Sequence, residues 1–254
     1  MPTYLLTLEY DGTDFSGWQI QRTRGQERAR TVQSEVEKIL NKIPGYDGKT
    51  FAASRTDAGV HARDQKVSFT LHKPIPPRDL FMRLDALLPN DAAPRDIRIV
   101  PDNFNARYHA KKKEYVYSIY NDHVRPVLEQ RFVWWRKAKL DIQKMKQAAR
   151  YYKGTHDFKA FMREGSSQKD THCTIYKVAL VKKDKLLKIR ITGSRFLYNM
   201  VRNMAGLLVE VGRGKVKPTI VKEYLRFPSI KKAGPKAPAQ GLTLHKVIGG
   251  QIST

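Results

Sequence analysis

The spacing of hydrophobic and polar residues over the first hundred positions alternates between strand-like and helix-like patterns. The β-branched and aromatic run at 3–10 predicts a strand that ends in a turn at Asp11 and Gly12. Thr31 predicts the cap of a helix reaching Ile43, because apolar residues recur after it every three or four positions. In chain order, the pattern also predicts strands at 49–53 and 66–71, a helix at 77–88 and a strand at 97–100. This β-α-β-β-α-β order is typical of a split-βαβ arrangement.

The second half of the chain has a similar order with longer connections. It predicts a strand at 114–120, a helix begun by Asp141, a hairpin of 174–181 and 186–192, a helix at 195–211 closed by Gly212, a short helix after Pro218 and a strand at 242–248. Two α+β halves with one order of elements indicate a duplicated fold. We therefore predict an N-terminal half at 1–103 and a C-terminal half at 104–254.

Charge narrows the class of partner. Lysine and arginine number 48 against 24 acidic residues, a formal net charge of +24 that predicts a polyanionic partner. A membrane surface is the weaker candidate, because no run approaches the roughly 18 apolar residues of a spanning helix and no secretory signal is visible. The single cysteine, Cys173, favours a reducing compartment. We expect a cytoplasmic protein that binds nucleic acid, with a merely soluble basic protein as the alternative.

Two basic segments, 22–30 and 227–241, are predicted to be mobile loops. Either they are plain solvated loops or they contact a nucleic-acid backbone.

Sequence motifs for cofactor and metal chemistry are absent. The chain has no phosphate-binding G-x-x-x-x-G-K-[ST] loop and no Gly-x-Ser-x-Gly elbow, and its seven histidines and one cysteine lack a metal-ligand spacing. We therefore expect a reaction that uses side chains alone, with no cofactor and no metal.

The stretch SRTDAGVHA at 54–62 joins two predicted strands and contains the best single acid, Asp57. A short connection from a packed sheet fixes a side chain in space, as a reacting group requires, and Gly59 permits a tight backbone path. Taken alone, the stretch favours an ordinary turn in which the aspartate bonds its own backbone, and the functional interpretation needs partners.

Two other elements could supply partners for that acid. On the predicted helix at 195–211, Arg195, Tyr198 and Arg202 would share one basic face with Gly206, where something could approach closely. An arginine beside an aspartate favours the ionised carboxylate, although the face could also be a solvated stripe. On the predicted strand at 114–120, Tyr115 could stack on a base or pack in the core, and for Tyr117 we favour the core.

Asp57, Tyr115 and Arg202 lie within a series of motifs. Along nearly the whole chain, these motifs resemble those of the tRNA pseudouridine synthase A family. The motifs are YDGTDFSGWQ at 10–19, TVQ at 31–33, RTDAGVHA at 55–62, FNAR at 104–107, KEYVY at 113–117, GTHDF at 154–158, FLYNMVR at 196–202 and APAQGL at 237–242. The chain departs from the family pattern at two places. Ser54 stands where many relatives have a glycine, and the stretch at 171–175 contains His172-Cys173-Thr174 and lacks the arginine expected there.

The resemblance implies a fold and a reaction. The fold would be α+β, with two split-βαβ halves, similar to ferredoxin and RRM domains, sharing a continuous mostly antiparallel sheet with helices on one side. The reaction would convert uridine to pseudouridine at positions 38 to 40 of the tRNA anticodon stem-loop, in a homodimer without cofactor or metal. Asp57 would be the catalytic aspartate, Arg202 its arginine partner, Tyr115 the ring stacked on the target uracil, and Arg55 the residue that stabilises the flipped nucleotide. A non-catalytic RNA-binding module, and the same chemistry on another RNA, are the rival hypotheses.

Overall fold

A computed structural model describes residues 1–20, 29–166, 168–228 and 233–249. The chain divides into two compact units, unit 1 with Met1–Lys111 and the chain from Leu244, and unit 2 with Lys112–Thr243. The division into halves predicted at residue 103 stays a prediction.

Unit 1 contains an antiparallel arrangement of strands with two main helices. Its elements are β1 (Thr3–Tyr10), α1 (Val32–Leu40), β2 (Phe51–Ala52), β3 (His61–Thr70), α2 (Pro77–Leu87), β4 (Ala92–Val100), the short α3 (Ala106–His109) and β10 (Leu242–Gly249, which begins in unit 2). Strand β1 lies between β4 and β3 and pairs antiparallel with both, β2 adds to β3, and β10 follows β3 on its other side. Alternate residues of β1, among them Leu6 and Leu8, are fully buried with Val36 of α1 and Leu80 of α2.

Helix α1 begins where the sequence predicts and ends three residues earlier. The Thr31 hydroxyl accepts from the Ser34 backbone N–H at 3.1 Å, and the Ser34 hydroxyl accepts from the Thr31 backbone N–H at 3.0 Å, which forms a capping box. Beyond Leu40, Lys42 and Ile43 bond to carbonyls only three residues back, so the chain tightens into turns before Ile43.

Unit 2 has the same class of architecture. Its elements are β5 (Ala110–Asn121, which begins in unit 1), β6 (Trp134–Arg136), α4 (Ile142–Arg150), β7 (Gly154–Asp157), β8 (His172–Lys183), β9 (Leu186–Gly193), α5 (Met200–Gly212) and α6 (Ile220–Arg226), with short 3-10 helices at Lys159–Phe161 and Ala239–Gly241. The strand order is β5-β9-β8-β7 with antiparallel pairs, and β6 pairs with β5 in parallel. The α+β class and the mostly antiparallel pairing are confirmed.

Helix α5 starts later than the sequence predicts. The expected start at Arg195 is wrong, because Asn199 has a left-handed backbone with φ of 64°, which an α-helix cannot contain. The helix begins at Met200, so Arg195 and Tyr198 precede it and do not share a helical face with Arg202.

The two basic segments differ in how much of each the structure describes. Most of 22–30 lies outside the described residues; Arg30, which is described, binds Asp91 through two contacts of 2.7 and 2.8 Å. In the other segment, Ala233 and Ala237 are fully buried, whereas Pro235, Lys236 and Gln240 are exposed, so its described part is anchored by the two alanines. Along the described ranges, no helix combines the length and apolar character needed to cross a bilayer.

Candidate active site

Asp57 lies on a short loop of unit 1, residues 54–60, which we call the Asp57 loop. The loop connects β2 to β3, and the Asp57 side chain is half-buried. Its backbone carbonyl accepts from the Val60 N–H at 3.1 Å, and Gly59 at the turn has a positive φ of 76°. The turn interpretation of this stretch is therefore correct for the backbone, and the carboxylate is carried on a fixed turn.

The residues before and after Asp57 are tied to the segment that follows β1. The Thr56 carbonyl accepts from the Trp18 N–H at 3.0 Å, and the Gly59 N–H donates to the Phe15 carbonyl at 3.2 Å. A Cβ on Gly12 would lie 2.0 Å from the Val60 carbonyl oxygen, so this segment approaches the loop as closely as glycine allows. The YDGTDFSGWQ motif thus packs directly on the Asp57 loop.

The first turn of α1 supports that segment from behind. The backbone N–H groups of Val32 and Gln33 donate to the carbonyls of Gly17 and Trp18 at 3.2 and 3.0 Å. The Gln33 side-chain oxygen also accepts from the Ile20 N–H at 3.0 Å. Helix N–H groups without an intrahelical partner are thereby satisfied, and the Asp57 loop is linked to a capped helix.

A buried hydroxyl pair holds the Asp57 loop from inside the unit. The hydroxyls of Tyr10 and Thr56 lie 2.7 Å apart, and the Gln65 amide donates to the Ser54 carbonyl at 2.7 Å. Burial raises the pKa of Tyr10 to about 12, against smaller opposing contributions from its bonds to Thr56 and Gln65, so the phenol stays neutral at physiological pH. The roles of Tyr10 and Gln65 were not predicted from the sequence; the available signal was a polar glutamine among the inward-facing positions of a strand.

We expect Tyr10→Phe to lower both stability and turnover. The change leaves the buried Thr56 hydroxyl without its partner, which costs about 1–3 kcal/mol of unfolding free energy. Because the same bond restrains the residue before Asp57, turnover should fall severalfold. Denaturant unfolding and initial rates measure the two effects.

The matched variant for this test is the double change Tyr10→Phe with Thr56→Val. It removes both partners, so stability should return towards that of the wild type while turnover stays low. If the double variant is destabilised by the sum of the single effects, the two hydroxyls do not act as a pair.

Arg55 lies on the same loop, two residues before Asp57, and its side chain is exposed. The structure therefore brings Arg55 and Asp57 together on one turn. An exposed guanidinium on this loop can contact a phosphate or base of a bound nucleic acid.

Tyr115 lies in unit 2, on β5 opposite Ile191 of β9. Its ring is buried, and the edge of Phe196 meets it at a centroid separation of 5.1 Å and an interplanar angle of 84°. Phe196 belongs to the segment before α5, so the ring is fixed by residues of two elements.

Tyr117 packs in the core, as predicted. It is fully buried, and its hydroxyl donates to the Pro238 carbonyl at 2.8 Å. Burial raises the pKa of Tyr117 strongly, and the positive charge of Arg202 offsets only part of that rise.

Arg202 lies in the first turn of α5 and is bound to the segment that follows α6. Its Nε donates to the Ala237 carbonyl at 2.8 Å, and the Ala237 N–H donates back to the Arg202 carbonyl at 3.2 Å. Tyr117 donates to the next carbonyl, that of Pro238. The segment at 237–238 is therefore hydrogen-bonded to both β5 and α5. The APAQGL motif therefore positions Arg202 within unit 2.

The predicted close approach at Gly206 is confirmed, and the neighbour is the chain itself. A Cβ on Gly206 would lie 1.8 Å from the Pro235 carbonyl oxygen. This contact brings 235–237 against α5 one turn after Arg202 and allows the reciprocal bonds with Ala237.

The four predicted site residues fall in two units. Arg55 and Asp57 belong to unit 1, whereas Tyr115 and Arg202 belong to unit 2. The pairing of Asp57 with Arg202 stays a prediction. Arg195 and Tyr198, expected on the same face as Arg202, instead bind Asp170 and Arg163.

Residues that could ligate a metal do not cluster in the part of the chain that the structure describes: no group of three or more histidine, cysteine, aspartate or glutamate side chains occurs there. Cys173 is buried, and burial raises the pKa of its thiol to about 11, so it is protonated at neutral pH.

Comparison with known proteins gives the family. A family model described as tRNA pseudouridine synthase matches residues 7–109 and 148–248, which include Arg55, Asp57 and Arg202. The chain belongs to the tRNA pseudouridine synthase family.

Similar proteins carry a more particular name. The tRNA pseudouridine synthase A of Clostridium kluyveri is 40% identical over 98% of this chain and 100% of its own length. That of Ruminiclostridium cellulolyticum is 41% identical over 95% of this chain and 97% of its own. Among solved structures, an H/ACA ribonucleoprotein bound to a substrate RNA containing 2′-deoxyuridine aligns with a TM-score of 0.33 and 13% identity, covering 72% of this chain and 38% of that one; this likeness is too low to bear on the fold.

Proposed function

We propose that this chain isomerises uridine to pseudouridine in the anticodon stem-loop of tRNA, at positions 38 to 40, with Asp57 as the reacting group. The observation that carries the proposal is the fixed, half-buried carboxylate of Asp57 on a turn restrained on both sides, in a chain of this family.

The reaction exchanges one bond for another within a single nucleotide. The bond from uracil N1 to ribose C1′ breaks, the uracil turns, and C5 bonds to C1′ while the C5 proton leaves and N1 gains a proton. Asp57 acts either as a nucleophile on the ribose or as a base that removes a ribose proton. Both roles require an ionised carboxylate, which a nearby guanidinium favours, and Arg202 is the proposed partner.

The remaining site residues bind the substrate. A uridine stacked in a stem-loop hides its glycosidic bond, so it must be extruded at a cost of a few kcal/mol. Arg55, exposed on the Asp57 loop, would hold the extruded nucleotide, and Tyr115, which is 6% exposed in this structure, would stack on its uracil once its ring is uncovered. The net charge of +24 supports binding to the phosphate backbone. We further propose that the enzyme acts as a homodimer in the cytoplasm.

Single-uridine stem-loops test the substrate assignment. Each RNA carries one uridine tritiated at C5, placed at position 38, 39, 40 or elsewhere in the loop. Because the new glycosidic bond replaces the C5–H bond, we expect tritium release from the first three RNAs. Release only from uridines outside 38 to 40 would refute the site assignment, and release from ribosomal fragments alone would favour the rival RNA substrate.

A further inference from the structure

Arg163 and Tyr198 form an exposed cation–π pair on the surface of unit 2. The side chain of Tyr198 is 43% exposed, and the guanidinium carbon of Arg163 lies 5.0 Å from the centroid of its ring. The Arg163 Nη1 donates to the Tyr198 hydroxyl at 3.0 Å, and the Arg163 backbone N–H donates to the Tyr198 carbonyl at 2.8 Å. Two hydrogen bonds and one cation–π contact therefore join the same two residues.

This pair is attached to the start of α5. Tyr198 lies four residues before Arg202, and Asn203 on the first turn donates to the Phe161 carbonyl at 2.7 Å. Asn203 is fully buried, so the segment that carries Arg163 is bonded to the helix from the inside. The Arg163–Tyr198 pair therefore has a fixed position relative to the first turn of α5.

A second exposed tyrosine of unit 2 shows what is particular about this pair. Tyr176 is 40% exposed, and the Lys112 ammonium lies 4.8 Å from its ring centroid. An ammonium is a compact point charge, whereas a guanidinium is planar and can stack on a further ring. The two pairs thus match in exposure and charge but differ in whether the cation can extend the stack.

We propose that Arg163 and Tyr198 form a stacking site for an unpaired nucleobase of the tRNA substrate, in addition to the target uridine. Proteins recognise single-stranded RNA loops by stacking unpaired bases on aromatic rings and on arginine planes. A base held next to α5 would fix the RNA relative to the turn that carries Arg202. The identity of the RNA rests on the proposed function, whereas the stacking site rests on the Arg163–Tyr198 geometry.

An abasic scan of the anticodon stem-loop tests the site by binding alone. Each loop position in turn lacks its base, and affinities are measured with Asp57→Asn protein to prevent turnover. We expect one position, other than the target uridine, at which loss of the base weakens binding by about 5- to 150-fold. Adding Tyr198→Leu should weaken binding of the intact RNA by a similar factor and abolish the sensitivity at that position, whereas Tyr198→Phe should retain it.

Two further variants separate stacking from charge. Arg163→Lys keeps the positive charge, so the salt dependence of binding should be unchanged while the sensitivity to the missing base decreases. Tyr176→Leu is the matched control and should behave as its parent. Binding by Arg163→Lys that equals the parent's at every abasic position, or an equal loss in Tyr176→Leu, would overturn the stacking site.

The abasic scan and the tritium assay test different proposals, so either proposal can be refuted without the other. If wild-type protein releases tritium while Tyr198→Leu responds to every abasic RNA as its parent does, the stacking site is refuted and the proposed function stands. If wild type releases no tritium from any tRNA, the proposed function is refuted whatever the scan shows. Thermal unfolding of each variant establishes that a loss of binding is not a loss of fold.

Discussion

Asp57→Asn protein is expected to bind tRNA with nearly wild-type affinity and to isomerise it at least about a thousandfold more slowly. The amide has almost the shape of the carboxylate, so the turn closed by Asp57 and Val60 should persist. An amide can neither attack the ribose nor accept a proton from it, whichever of the two roles the carboxylate has.

The measurement for this variant combines single-turnover tritium release with an equilibrium binding titration. Asp85→Asn is the control, because Asp85 is an exposed acid on α2 and the change removes the same charge. Asp85→Asn should match wild type in both assays. Full activity of Asp57→Asn would contradict a reacting role, and a large loss of affinity would assign Asp57 to RNA binding.

Gly206→Ala is expected to destabilise the protein, against the usual sign for such a change in a helix. Alanine is the better helix former by about 1 kcal/mol, so an unobstructed site would gain stability. Here the new Cβ would lie 1.8 Å from the backbone oxygen of Pro235, and overpacking of this kind costs about 1–3 kcal/mol or more. Displacing 235–237 would also break the bonds between Ala237 and Arg202, so turnover should fall as well.

Gly212→Ala is the matched control on the same helix. Its Cβ would meet the Met145 Sδ and Cγ at 2.7 and 2.9 Å, and a methionine side chain can change rotamer more easily than a backbone carbonyl can move. We expect Gly206→Ala to be at least about 2 kcal/mol less stable than Gly212→Ala in denaturant unfolding. Equal stability of the two variants would contradict this prediction, because it would mean that the segment at 235–237 can move away from α5 without loss of unfolding free energy.

The elements that local chemistry specifies were predictable from the sequence. Thr31 and Asp141 cap helices where they were expected to, because a side chain bonding a backbone N–H three residues on is a local event. The β-branched and aromatic run at 3–10 predicted β1, and the lysine-rich turn at 182–185 predicted the β8–β9 hairpin, because these signals are also local. The edge strands β6 and β7 were missed, since three or four residues contain too little alternation to read.

The candidate site was less predictable where its geometry depends on distant partners. Helical periodicity continues back through 195–199, so the pattern alone could not reveal the left-handed Asn199 that delays α5. Arg195, Tyr198 and Arg202 were expected on one face, yet each binds a different segment of the chain. The approach at Gly206 was predicted, but not that the chain's own Pro235 makes it.

The contacts that hold the Asp57 loop were likewise predictable only where they are local in sequence. The turn at Gly59 was predictable from the sequence, because a backbone with positive φ favours glycine. The hydrogen bonds that join Tyr10 and Trp18 to Thr56 could not be predicted from the sequence. Both residues lie about 40 positions before Thr56, and no local rule links residues so far apart.

The most direct measurement of the central claim is pseudouridine mapping on one unmodified tRNA transcript, treated with wild type and with Asp57→Asn side by side. Carbodiimide labelling followed by reverse transcription locates each product. We expect modification at positions 38 to 40 by wild type and none by Asp57→Asn at equal RNA occupancy. Modification by both proteins, or by neither, would contradict the central claim.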